Sequence, residues 1–159
     1  MKRLVFLYVI VSGLSVAAGT QRISTTSVAW KEAFGYSSAE PNTTFCLMAN
    51  GACGPAGKNV QSVTEEWLTK HPDAQIIPVC NVRCSRREPQ ALLTFVWVVD
   101  GDESLNLELV RQGCFPFLTQ TISEKALQVP KTDYIAFMKK AVRAGIYASE
   151  HKLGLFSNP

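Results

Sequence analysis

Apolar residues run most densely between Ala91 and Val99. Extended, that segment places Leu93, Phe95, Trp97 and Val99 on one face and Leu92, Thr94, Val96 and Val98 on the other. Both faces are mainly apolar, so the pattern predicts a central strand covered on each side. Ile76 to Val82 reads as a second strand, with Pro78 favouring an edge or a bulge. Thr43 to Met48 reads as a third, leading to the turn dipeptide Asn50-Gly51. Helical signals appear elsewhere. Ser62-Val63-Thr64-Glu65 has the form of a capping box, opening a short helix with Trp67 and Leu68 that His71-Pro72 stops. Ser104 caps a second helix, which turns Leu105, Leu109 and Val110 inward and ends at Gly113. After an irregular stretch from Phe115 to Val129, Pro130 leads into the longest helix, about Thr132 to Lys152. Tyr134, Phe137, Ala141 and Ala148 share one stripe of it, with Lys139, Lys140 and Arg143 outside that stripe. Gly145 costs this helix about 1 kcal/mol relative to alanine and marks a close approach. Small strands followed by a helix, two strands and two helices predict an α+β domain, mainly a β barrel closed by helices.

The first 18 residues have a separate logic. Met1-Lys2-Arg3 is a positive start, Leu4 to Leu14 is almost wholly apolar, and Val16-Ala17-Ala18 supplies the small residues of a cleavage site. The apolar run is shorter than the roughly 20 residues of a membrane span. The expectation is a signal peptide over 1–18, export to a secreted or periplasmic location, no transmembrane span after cleavage, and one globular domain over 19–159. Charge then narrows the function. The formal +3 comes from 16 basic and 13 acidic residues; without Lys2 and Arg3 the balance is 14 against 13, or +1. That is far from the charge of a protein living by phosphate neutralisation, so nucleic acid as partner has no support from net charge.

Export also changes the meaning of the cysteines. Cys46 with Cys53 and Cys80 with Cys84 form two close pairs and are disulfide candidates, with zinc as the alternative; neither pair has the two-residue gap of a zinc knuckle. Cys114, after the helix-ending Gly113, reads as a buried free thiol. Asn42-Thr43-Thr44 is a glycosylation sequon in a source that glycosylates its exported proteins.

Asp100 to Gly113 reads Asp-Gly-Asp-Glu-Ser-Leu-Asn-Leu-Glu-Leu-Val-Arg-Gln-Gly. It resembles the staphylococcal-nuclease-like (thermonuclease) family, in which a central strand ends in Asp-Gly and an Asn-containing helix ends in Leu-Val-Arg-x-Gly. Tyr134-Ile135-Ala136-Phe137 through Gly154-Leu155-Phe156-Ser157 is similar to that family's terminal helix and tail. The resemblance covers about Ser62 to Ser157, with residues 62–159 as the core and 19–61 as divergent strands and loops. It implies an OB-type five-stranded barrel with about three helices, an architecture associated with oligonucleotide or saccharide binding.

The resemblance also implies a chemistry: calcium, acidic ligands, a carboxylate that activates water, and two arginines for the phosphorane charge. Between Gly19 and Gln61 there is no Asp; the acids are Glu32 and Glu40, and the one arginine is Arg22. Ala91-Leu92 stands where the family's Gly-Arg pair is expected, and leucine donates nothing to a phosphate. Arg86, Arg87 and Glu40 are the weak catalytic candidates, and Asp100, Asp102 and Glu103 the weak metal candidates. Cys84 beside Arg83 and Arg86 is a candidate reactive thiol. His71 and His151 read as helix-end dipole partners. Lys139, Lys140 and Arg143 form a candidate face for an anionic partner. The expected function is a non-catalytic binding or interaction module for an unidentified protein or anionic ligand, without a cofactor. The alternatives are a calcium-dependent nuclease with rearranged residues, or a disulfide-stabilised structural accessory.

Overall fold

A computed structural model describes residues 21–48, 59–84, 91–116 and 122–157. The expected leader over 1–18, the Asn50-Gly51 turn, Cys53, Arg86 and Arg87 lie outside the described residues. Described strands are β1 (Ile23–Ser24), β2 (Val28–Lys31), β3 (Phe34–Ser37), β4 (Thr43–Leu47), β5 (Gln75–Cys84), β6 (Ala91–Asp100) and β7 (Glu103–Ser104). The helices are α1 (Val60–Lys70), α2 (Leu105–Arg111) and α3 (Lys131–Glu150).

The strands form one mixed sheet in the order β1-β5-β6-β4-β3-β2, with β7 returning onto β6. The β4–β6 pair is parallel, Thr43 facing Leu92 and Leu47 facing Val96. β1 and β2 stand at opposite ends of this order, yet only the 3-10 turn Thr25–Ser27 separates them. Across a flat six-stranded sheet those ends would be about 24 Å apart. Three connecting residues reach only about 14 Å. The sheet is therefore curled into a half-barrel, and the protein is α+β.

The expected five strands become seven for a local reason. The first strand breaks at Ser24, whose hydroxyl accepts from the Thr26 N–H (3.3 Å), and Thr25 Oγ1 donates to the Ala74 carbonyl (3.1 Å). The two-residue β7 adds the seventh. Pro78 sits at a register shift between β5 and β6, as its missing N–H requires.

Alternation along β6 divides the interior in two. Val96 and Val98 face a core with Phe45, Leu47, Trp67, Ile76, Leu105 and Leu109. Phe95 and Trp97 face a second core with Ile77, Val79, Cys80, Phe137 and Ala141, in which the Trp97 and Phe137 rings stack at 4.5 Å. β6 is thus covered on both faces, as its pattern predicts. Gly145 is buried with Phe137 and Ala141 on the inner side of α3.

One helix start differs from the expected capping box. α1 begins at Val60 with Asn59 at its N-cap, and Ser62 lies inside the first turn, its hydroxyl donating to the Asn59 carbonyl (3.0 Å). Gln61 accounts for the longer helix: its Oε1 accepts from the Glu32 N–H (2.6 Å) and its Nε2 donates to Glu65 Oε1 (2.7 Å). The tie to the β2–β3 turn carries helical structure upstream of Ser62.

Two polar junctions hold the elements together. Asn106 is fully buried; its Oδ1 accepts from Val98 N–H (2.8 Å), and its Nδ2 donates to the carbonyls of Met48 (2.8 Å) and Val96 (2.9 Å). At the other end of α2, Gly113 (φ +68°) and Gly154 (φ +51°) lie back to back, with Leu155 N–H donating to the Gly113 carbonyl (2.9 Å). A side chain on either glycine would overlap the other segment's backbone. Both stretches that carry the family resemblance meet at this contact.

The Cys80–Cys84 disulfide is ruled out by the strand itself. Four residues apart on extended β5, their Cα atoms are about 13 Å apart, against a limit near 7 Å for a disulfide. Cys46 and Cys80 straddle Phe95 from the two neighbouring strands, about 10 Å apart. Cys80 and Cys114 are buried free thiols. Among the described residues no helix is long and apolar enough to cross a membrane.

Candidate functional site

Where α1 ends, the β6–β7 turn comes close, and a charged cluster forms between them. The helix stops at His71, whose backbone N–H caps the carbonyls of Trp67 and Leu68. Its ring stacks on Trp67 with centroids 4.1 Å apart, which fixes the imidazole plane. Nδ1 lies 3.0 Å from Asp100 Oδ2 and Nε2 lies 3.3 Å from Glu103 Oε2. Both ring nitrogens face a carboxylate. The His71 side chain is 17% exposed, against 39% for Asp100 and 68% for Glu103. The bridge therefore closes at the surface, over an apolar floor.

This geometry engages two of the three candidate metal ligands with a histidine instead of a cation. Asp100 and Glu103 turn to opposite edges of one imidazole, and Asp102 shares a cleft with Glu103 that His71 and Asp100 do not line, so the three carboxylates do not gather around one point. Among the described residues no group of three or more His, Cys, Asp or Glu side chains has the arrangement of a metal site. Glu40, the weak catalytic candidate, is equally remote. It precedes β4, Thr43 N–H donates to its carbonyl (3.0 Å), and Thr43 pairs with Leu92 at the start of β6. Asp100 closes β6 eight residues later, about 26 Å along the strand. The acids stand at opposite ends of the sheet. Arg86 and Arg87 lie outside the described residues.

Two clefts flank the His71 cluster. One, of about 330 Å³, runs between Trp67, Asp102, Glu103, Arg111 and Lys140. Another, of about 190 Å³, is lined by Glu66, Lys70, His71, Glu103 and Glu108. Both share Trp67, Glu103 and Glu108, so they are two sides of one acidic ridge. Lys70 is engaged by Glu66 at 2.6 Å, a fully exposed pair; the bond lowers the Glu66 carboxyl below its ordinary range and raises Lys70. Arg111 lies over the Tyr147 ring (4.9 Å), and Tyr147 stacks on His151 (4.0 Å), whose Nδ1 is 2.9 Å from the Tyr147 carbonyl. His151 accordingly serves the end of α3, as expected.

The expected cationic face is divided. Lys139 and Arg143, one turn apart, point outward, while Lys140, a further 100° round the helix, lines the 330 Å³ cleft with Arg111. Burial raises the Cys80 thiol from 9.0 to about 11, and Cys114 likewise rises to about 11 through burial and the charge of Glu108. Neither is a nucleophile at neutral pH. The His71 bridge was not legible in sequence, because its partners are 29 and 32 residues away; the available signal was a histidine at a helix stop followed by an acid-rich turn. No family model matches the chain, and no curated protein matches it.

Proposed function

We propose that this chain is an exported, non-catalytic binding module on an OB-type, staphylococcal-nuclease-like barrel, and that the ridge between α1, α2 and α3 is its binding surface. A three-strand meander, a helix, two further strands and the parallel β4–β6 pair favour the OB-type reading of the curled sheet. One observation carries the functional reading: Asp100 and Glu103 are engaged by His71, about 26 Å along β6 from Glu40. Hydrolysis of a phosphodiester needs its acids and cations around one phosphate within about 0.5 Å of productive geometry. Leu92, at the position where the family resemblance expects arginine, offers the phosphate no donor. What the ridge does offer is recognition: Arg111 and Lys140 opposite Asp102 and Glu103, over the Trp67 ring, suit a partner carrying both charges.

The test incubates the purified protein with single-stranded DNA and calcium, with and without chelator. The expected result is no cleavage in either condition. Chelator-sensitive cleavage abolished by Arg87→Ala would instead establish the rearranged nuclease. Pull-down from the native compartment completes the experiment: a partner captured by the wild type and lost with Arg111→Glu plus Lys140→Glu supports the ridge, and equal capture by both refutes it.

A further inference from the structure

The outward side of α3 is at odds with a helix that meets only water. Its inner side buries Phe137, Ala141, Gly145 and Ala148. On the outside, Ile135 (42% exposed), Val142 (39%) and Ile146 (51%) recur at i, i+7 and i+11, making an aliphatic stripe about 16 Å long. Lys139 and Arg143 run beside that stripe. Among the described residues no acid pairs with either cation; the ion pairs there join Lys70 to Glu66, Lys131 to Glu124, and His71 to its two carboxylates. Glu150 is the exposed acid of this helix, and Lys152 follows it.

Charge is distributed unevenly about this helix. Residues 131–159 carry Lys131, Lys139, Lys140, Arg143 and Lys152 against Asp133 and Glu150, a balance of +3. Residues 19–130 carry nine basic and eleven acidic side chains, or −2. The positive pole thus coincides with the helix that bears the exposed aliphatic stripe, with Lys139 and Arg143 on its outer side and Lys140 turned into the cleft on the ridge. A partner for the stripe must be apolar and anionic together. It must also meet a ridge one helix wide, whereas an amphipathic partner helix is held in a groove. An anionic bilayer surface has these properties: phosphates for the cations, and an acyl boundary for short aliphatic side chains.

We propose that α3 docks the protein peripherally on an anionic lipid surface, with Lys139 and Arg143 at headgroup phosphates and Ile135, Val142 and Ile146 entering the interface. This docking is independent of whether the barrel binds or hydrolyses. Flotation of the purified protein with phosphatidylcholine vesicles, and with vesicles containing about a third phosphatidylglycerol, tests it. The expected result is binding to the second kind alone, weakened by salt. Each cation near such a surface contributes about 1 kcal/mol, or about five-fold in partitioning. Lys139→Gln plus Arg143→Gln therefore lowers binding about 25-fold. Val142→Ser plus Ile146→Ser lowers it about ten-fold. All four positions are exposed, so an unchanged thermal melt separates lost docking from lost folding. Equal binding to both vesicles, binding that survives both double substitutions, or absence of binding would each overturn the proposal. A concentration-dependent dimer that fails to float would overturn it in favour of a contact between copies.

Discussion

Substituting Asn106 by leucine keeps nearly the same side-chain volume and removes four hydrogen bonds, the long one from the Ser104 hydroxyl included, from a site with no exposure to water. The site exists because β4 pairs with β6 only as far as Leu47 facing Val96. Past that point the Val98 N–H still faces the β4 side, and Asn106 Oδ1 receives it at 2.8 Å. The amide's other end joins Met48 to the same strand, so a single side chain extends the sheet where the backbone has departed. Leucine orphans the Val98 N–H and takes the donor from Met48, at about 1–3 kcal/mol for each buried group. Added apolar burial returns about 1 kcal/mol of that, leaving a net loss of about 3 kcal/mol. Near 3 °C per kcal/mol at this size, the melting midpoint falls by about 10 °C. Asn106→Asp keeps the acceptor, loses both donors and buries a charge against carbonyl oxygens, so it falls further. Amide exchange gives the local readout: the Val98 N–H gains exchange rate beyond what the global loss of stability produces. A leucine variant within 1 kcal/mol of the wild type, with Val98 still protected, would refute the assigned role.

Two further outcomes follow from the same structure. Gly101 (φ +57°) and Gly113 (φ +68°) share a backbone conformation but differ in surroundings, since a side chain at Gly101 meets nothing within 4 Å. Gly101→Ala should cost about 1 kcal/mol, the backbone effect alone, whereas Gly113→Ala or Gly154→Ala should cost about 3 kcal/mol or more in denaturant titrations, because backbone must move. Stability should also decline at alkaline pH. The Cys80 and Cys114 thiols are raised from 9.0 to about 11 in the fold, so between those values the folded state holds protons that the unfolded chain releases. Their contribution is intact below pH 9 and is lost as pH rises through 11, by about 2 kcal/mol each. Tyr134, raised by burial and then by Cys80, adds to the loss in the same direction. Urea midpoints measured from pH 8 to pH 11 check this, and a Cys80→Ala plus Cys114→Ala variant should flatten the curve.

Periodicity made β6, α2 and α3 legible, because each of those segments buries a regular set of side chains. The alternation at Phe95, Val96, Trp97 and Val98 anticipates the two cores, and Pro78 anticipates the bulge. Tertiary ties were less visible. Gln61 starts α1 early by bonding to Glu32, 29 residues upstream, and no local rule at Ser62 includes that partner. The expected Cys80–Cys84 disulfide is not formed, because spacing in sequence carries none of the strand geometry that separates the two residues. Sequence proximity groups the three cations of α3 on one face, but the 100° step between successive residues turns Lys140 into the cleft.

The residues that carry the family resemblance have a common physical character, and it explains why they say more about fold than about chemistry. Asn106, Gly113 and Gly154 each lie where two elements meet and where no other residue type satisfies the contact: a carboxamide to accept and donate between strands, and two left-handed glycines pressed backbone to backbone. Such positions answer to the geometry of a curled sheet with helices packed on it, whatever the sheet binds. Catalytic positions answer to a substrate instead. In this chain the acid at the end of β6 has a structural partner, since Asp100 helps to hold His71 against Trp67 and so joins α1 to the β6–β7 turn. A carboxylate engaged in that way stabilises the scaffold only while its charge stays with the imidazole. Recruiting it to a metal ion would release the end of α1, and this opposition between support and catalysis favours binding as the role of the ridge.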